Sequence, residues 1–242
     1  MVEISGAHAL ALTSSNWVTR CGDPWVATYE YSFGPGSASA LAVQLDGGLM
    51  IASPPCGAPD SAYEGIAARG SLRALIAPNA FHTSGIAGWR ERFPNAHVFA
   101  PAQSAARVRK VSGVIDIQPL SAADGLLGDR VALIDIPHFK TGEALIKVRT
   151  ERGLLWYVTD ILLNLRRLPA HPLFALLFKL SGSAPGFKRN RIAPLFMAQD
   201  RAALRRWLGE QAAQDRPRWL IPAHGDVVDL GGTPTRLQEL FR

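Results

Sequence analysis

Leu75-Ile76-Ala77-Pro78-Asn79-Ala80-Phe81-His82 is a short apolar run that stops at a proline and delivers a histidine four residues later. Its length and aliphatic content mark Leu72–Ala77 as a buried strand, which Pro78 ends. Three later stretches are built the same way: Leu133-Ile134-Asp135-Ile136-Pro137-His138, Leu155-Trp156-Tyr157-Val158-Thr159-Asp160, and Trp219-Leu220-Ile221-Pro222-Ala223-His224-Gly225-Asp226. Strand ends that face the same way place distant side chains at one rim of a sheet. Imidazole and carboxylate are ligands that a borderline divalent metal prefers. His82, His138, Asp160 and His224 are therefore a candidate metal-ligand set, weighed against the plainer reading of histidines bonded to backbone.

Around these runs the chain divides in two. The first third reads as a meander, with strands at Trp25–Tyr31, Ala40–Leu45 and Leu49–Ala52 and a turn at Asp46-Gly47-Gly48. From residue 60 helix and strand alternate: a helix capped by Asp60 or Ser61 and running to Ala68, a helix over Ile86–Arg92, a strand over His97–Ala100 and a helix over Ser104–Lys110. The second half repeats the theme, with strands at Val131–Ile136, Ala144–Arg149, Leu154–Thr159 and Trp219–Pro222. A late helix starts at an Asp200 cap, with Leu204, Trp207 and Leu208 on its inner face. Two sheets between helical layers follow from this order.

Leu162–Gln199 breaks the rhythm. Leu173–Leu180 is strongly apolar and reads as a helix, preceded by Pro169 and Pro172 and followed by the linker-like Ser181–Gly186. Because it directly follows Asp160, it reads as a basic helical insertion, a lid over the rim. Residues 162–218 hold eleven Lys or Arg against Asp200, Glu210 and Asp215, a balance of +8, whereas the rest of the chain carries −2 of the total +6. Lys188, Arg189 and Arg191, with Arg166-Arg167 and Arg205-Arg206, suit the steering of an anion. A nucleic-acid surface ranks lower, since Phe187 alone supplies an interleaved aromatic for base stacking. An apolar patch beside arginines also suits a second subunit or a membrane surface, and lid or subunit contact ranks first.

A composition of 48% hydrophobic residues over 242 positions is ordinary for one packed domain. No charge-free stretch is long enough to cross a bilayer, and the first residues lack a basic secretory start, so a cytoplasmic location is expected. Cys21 and Cys56 lack metal spacing and read as free thiols. His8, His97 and His171 have no strand-end setting and read as exposed or packing residues. Asp226 reads either as a support for His224 or as a helix cap.

Taken together, the order of these motifs resembles the metallo-β-lactamase superfamily over nearly the whole chain. That resemblance implies an α+β fold, a four-layer αββα sandwich, as one domain over residues 1–242 with the insertion at about 162–199. The superfamily's HxHxDH motif corresponds to Ala80-Phe81-His82-Thr83-Ser84-Gly85, where only the second histidine is kept. Pro137-His138-Phe139-Lys140-Thr141-Gly142 is similar to its GHTPG turn with one residue extra, Thr159-Asp160 to the GD that bridges two metals, and Ala223-His224-Gly225 to its final histidine. With Ser84 and Gly85 in place of two ligands, the resemblance implies a single divalent ion, zinc first, with iron or manganese as alternatives.

Four protein ligands would make a closed site, so catalysis requires a further position or one ligand that stays off. The implied activity is hydrolysis of a small anionic ester, thioester or phosphoester. Asp160 would be the catalytic base, with Asn79, Ser84, Lys188, Arg189 and Arg191 holding the substrate. The alternative from a different class is a catalytically silent protein that binds a ligand or partner at the same rim.

Overall fold

In the computed structural model, which describes residues 16–33, 36–231 and 235–242, two sheets carry the chain. His8 lies outside the described residues. The first sheet has seven strands in chain order: β1 (Val18–Arg20), β2 (Asp23–Phe33), β3 (Gly36–Leu45), β4 (Gly48–Ala52), β5 (Leu72–Ile76), β6 (His97–Ala100) and β7 (Ile117–Pro119). β1 to β4 form the antiparallel meander, and the steps from β4 to β7 are parallel. Those parallel steps need crossovers, supplied by α1 (Asp60–Ala67), α2 (Ile86–Arg92) and α3 (Ala105–Ser112).

After the short α4 (Asp124–Leu127), the second sheet is built from β8 (Val131–Asp135), β9 (Ala144–Thr150) and β10 (Gly153–Val158). The insertion then contributes β11 (Leu162–Leu165), α5 (Pro172–Ser181), β12 (Gly186–Arg189) and α6 (Ala193–Met197). α7 (Arg201–Asp215), β13 (Trp219–Pro222), β14 (Val228–Asp229) and α8 (Thr235–Glu239) complete the chain. Strand order in the second sheet is β14-β13-β10-β9-β8, with β13 parallel to β10.

Period-two alternation in the strands decides the layers. Val26, Leu41, Val43, Met50 and Ala74 face Ile146, Val148, Leu155, Tyr157 and Ile221 of the second sheet in one buried cluster. Their neighbours Ala27, Ala42, Leu49, Ile51 and Leu75 point the other way, onto Ala62 and Ile66 of α1, Trp89 of α2 and Val108 of α3. Leu145, Trp156, Val158 and Leu220 meet Leu204, Leu208 and Ala212 of α7. The result is the αββα sandwich with three apolar interfaces.

Local readings differ from the observed elements in two places. Asp60 lies inside α1 rather than capping it: Pro59 is the N-cap residue and no side chain closes the end. The insertion is not purely helical, because β11 and β12 pair as a two-stranded hairpin, Leu162 opposite Arg189. Asp200 caps α7 as expected, its Oδ1 accepting from Ala202 N and Ala203 N at 2.9 and 3.0 Å. Both cysteines are free.

Candidate metal centre

β10 and β13 run parallel with Val158 opposite Pro222, so Asp160 and His224, each two residues further on, leave the sheet side by side. β5 ends on the facing sheet at the same rim, and Ala77–Phe81 carry the chain across to His82. These positions are the carboxyl ends of parallel strands, where open α/β sheets bind ligands. His82, Asp160 and His224 each present one donor atom, and the three atoms lie within 4.8 Å of one another. His82 Nε2 is 3.7 Å from Asp160 Oδ2, and His224 Nε2 is 3.3 Å from Asp160 Oδ1. Donors held about 2.0–2.2 Å from a tetrahedral ion stand about 3.3–3.6 Å apart, so this spacing suits one divalent ion.

The imidazoles are oriented from behind. His224 Nδ1 is 2.8 Å from the Ser37 carbonyl, which only accepts, so Nδ1 carries a proton and Nε2 is the atom that faces Asp160, as a donor when the ring is protonated and as a lone pair for a metal when it is neutral. His82 Nδ1 lies 2.7 Å from Ser53 Oγ, which is 2.8 Å from the Tyr31 hydroxyl. Ser53 is fully buried and has φ 53°, a left-handed conformation that a non-glycine residue adopts at a cost of about 1–3 kcal/mol. Partners of this kind fix the ring orientation of metal-binding histidines.

Burial by itself would raise the Asp160 carboxyl, yet hydrogen bonds from His224 and His82 and their positive charge hold it well below the usual carboxylate range. Burial opposes charge on His224 too, and Asp160 outweighs it, leaving that imidazole above its ordinary value.

Glu143, which the sequence reading passed over, lies directly behind Asp160. It is 1% exposed. Asn79 Nδ2 sits 2.8 Å from Glu143 Oε2, 2.6 Å from Asp160 Oδ2 and 3.1 Å from Thr159 Oγ1. Thr159 also donates to Glu143, and the Asp160 N–H reaches its Oε1 at 3.3 Å. Burial and then the charge of Asp160 push the Glu143 carboxyl up to about 8, against the lowering effect of these donors. A neutral acid thus backs an ionised one, with one amide bridging both. In sequence Glu143 belongs to a turn-like Thr-Gly-Glu, and only its place beside a strand start hinted at burial.

The remaining expected site residues lie elsewhere. His138 does not join the cluster. It has φ 65°, its carbonyl accepts from Gln199 N at 2.6 Å, and Phe139 bridges to Ala198, so the extra residue of this turn ties it to the stretch before α7. Asn79 is fully buried, and its Oδ1 accepts from Phe81 N and His82 N, so it shapes the loop and offers no atom to a substrate. Ser84 is exposed. Gly85 has no room for a side chain, because a Cβ there would stand 2.1 Å from the Pro54 carbonyl oxygen. The histidine of the HxHxDH pattern is thus sterically excluded at this position.

Lys188 is exposed on β12. Arg189 and Arg191 line a cleft against α7 that none of the three donors lines. Asp226 pairs with Arg166.

Compared by sequence, the chain matches no protein-family model and no curated protein. Solved structures do match in shape. The flavodiiron protein from Giardia intestinalis superposes with a TM-score of 0.61 over 93% of this chain at 14% identity, and the chain spans 58% of that protein's length. The metallo-β-lactamase FIM-1 from Pseudomonas aeruginosa, in its mono-zinc form, gives 0.59 at 12% identity with 93% of each chain covered. VMB-1 gives 0.60 at 10% identity, covering 93% of this chain and 95% of its own. The sandwich is that of the metallo-β-lactamase fold. Within that fold this chain keeps His82, Asp160 and His224 together and has alanine, serine and glycine at three other positions of the HxHxDH motif.

Proposed function

We propose that this protein is a metallo-β-lactamase-fold hydrolase with a reduced centre, in which His82, Asp160 and His224 hold one divalent ion and the substrate is a small anionic ester, thioester or phosphoester. The observation that carries this reading is the convergence of three donor atoms within 4.8 Å, with His224 Nε2 3.3 Å from Asp160 Oδ1. Three protein ligands leave the fourth tetrahedral position open, as in catalytic zinc sites, and His138 is the ligand that stays off. The donor set suits zinc first; iron and manganese accept the same ligands. Bound there, the ion supplies Lewis acidity and brings the pKa of water toward neutrality.

The protein's own groups divide the remaining work. Ser37 and Ser53 orient the two imidazoles, while Asn79 and neutral Glu143 hold the Asp160 carboxylate in place. Asp160 serves as ligand and anchor, and it is the carboxylate placed to act as base toward a bound water. Ser84, exposed at the rim, offers a hydroxyl to the substrate. Lys188, Arg189 and Arg191 add a positive field that draws anions toward this side of the molecule. The flavodiiron and mono-zinc neighbours support a metal at these strand ends and leave its identity to measurement.

Metal analysis of the purified chain, followed by an ester, thioester and phosphodiester panel, tests the proposal. One equivalent of metal is expected, lost in Asp160→Ala and His224→Ala and kept in His138→Ala. Protein that holds no metal even after incubation with zinc overturns it.

A further inference from the structure

The insertion leaves an unusual surface. Among the described residues, thirteen large hydrophobic side chains are exposed, and seven lie between residues 173 and 196. α5 buries none of its ten residues: Leu173, Phe174, Leu176, Leu177 and Leu180 point to solvent, the last at 77% exposed. Leu195 and Phe196 of α6 are exposed as well, at 53% and 76%, with Leu195 on the wall of the same cleft as Ser181 at the end of α5. Exposed apolar side chains in this number mark an interaction site. Ala175 and Phe178 of α5 are half-buried.

The same segment is strongly basic. Residues 161–199 contain six Lys or Arg and no Asp or Glu. Beside the patch opens a cleft of about 1090 Å³, walled by Ser181 at the end of α5 and by Leu195, with Arg189, Arg191, Arg201 and Arg205 around it. Among the described residues none of these four arginines pairs with an Asp or Glu side chain; Arg205 Nη1 reaches the Arg242 carbonyl oxygen at 3.5 Å, and Asp200, the one acidic side chain on the wall, accepts the backbone N–H groups at the start of α7. Burial and the nearby Arg191 and Arg205 charges lower the Arg189 guanidinium.

We propose that this face docks on an anionic phospholipid bilayer, with the leucines and phenylalanines of α5 and α6 entering the acyl boundary and the arginines of the cleft taking headgroup phosphates. The occupant follows from charge complementarity. A partner must be apolar inside and anionic at its surface, with phosphates that guanidinium groups bind as a fork. A second copy meets the first condition only, since a two-fold contact through this patch brings the arginines of both copies together. No helix among the described residues is long and apolar enough to cross a membrane, so the attachment is interfacial. This inference is independent of the metal centre.

Co-sedimentation of the full chain with extruded vesicles tests it, comparing phosphatidylcholine alone with phosphatidylcholine carrying about 30 mol% phosphatidylglycerol. Binding is expected to the anionic vesicles, weakening severalfold as NaCl rises from about 0.1 to about 0.5 M. Leu173→Ser with Leu180→Ser, both at highly exposed positions, is expected to weaken binding roughly tenfold through lost apolar burial. Arg191→Glu with Arg205→Glu is expected to abolish the preference for phosphatidylglycerol while circular dichroism is unchanged. Equal binding to both vesicle types, or to neither, overturns the proposal. So does a concentration-dependent dimer that the leucine substitutions dissolve while vesicles capture no protein, which assigns the face to a second subunit.

Discussion

Replacing Glu143 by glutamine isolates the buried acid behind the centre. In the folded chain this carboxyl stays protonated up to about 8, against 4.5 for a free glutamate, which corresponds to ~5 kcal/mol of preference for the neutral form. Local rearrangement relieves part of the repulsion from Asp160, so a measurable effect on the order of 2–5 kcal/mol is expected. The sign follows from proton counting. Between pH 4.5 and about 8 the unfolded chain has released this proton and the folded chain has kept it, so raising the pH favours unfolding. The stabilisation is full below 4.5 and is lost as pH rises through about 8.

Glutamine cannot titrate, and its amide oxygen in the place of Oε1 keeps the acceptor for Thr159 and the Asp160 N–H, while the cost of its amide nitrogen facing Asn79 Nδ2 is the same at every pH. Urea unfolding of both proteins at about pH 5, 7 and 9 supplies the assay, with the stability of the wild type minus that of Glu143→Gln as the readout. Groups common to both proteins drop out of this difference. This difference should fall by roughly 2–5 kcal/mol from about pH 5 to about pH 9. A difference that stays constant refutes the placement of a neutral acid behind Asp160.

Two further substitutions test the frame of the site. Gly85→Ala places a Cβ 2.1 Å from the Pro54 oxygen and 2.6 Å from that of Pro55, both backbone atoms that cannot swing away. It should cost roughly 2–4 kcal/mol and lower Tm by about 5 °C or more, and an unchanged Tm shows that the Pro54–Pro55 turn yields. Asp200→Ala removes the acceptor for two N–H groups at the start of α7 and should cost about 1 kcal/mol in thermal or denaturant unfolding. Asp200→Asn should recover most of that loss, and equal losses for the two would show that the capping bonds are not the source.

Strand ends that carry His82, Asp160 and His224, the inward and outward faces of β3, β4 and β10, and the Asp200 cap of α7 could all be read from the chain itself. Each is a local pattern: alternation with a period of two, a proline stop, or a side chain bonding the N–H groups two and three residues ahead. What only the tertiary structure decided involves groups brought together from far along the chain. Burial and the charge of Asp160 raise the Glu143 carboxyl, against the hydrogen bonds it accepts from Asn79, 64 positions earlier, and Thr159. Gly85 cannot be a histidine because the Pro54 carbonyl occupies that space, and His138 is drawn off the centre by Gln199. Local sequence sets the direction in which a side chain leaves its strand, whereas a ligand set, a shifted proton affinity or an uncovered apolar helix depends on what the rest of the chain packs beside it.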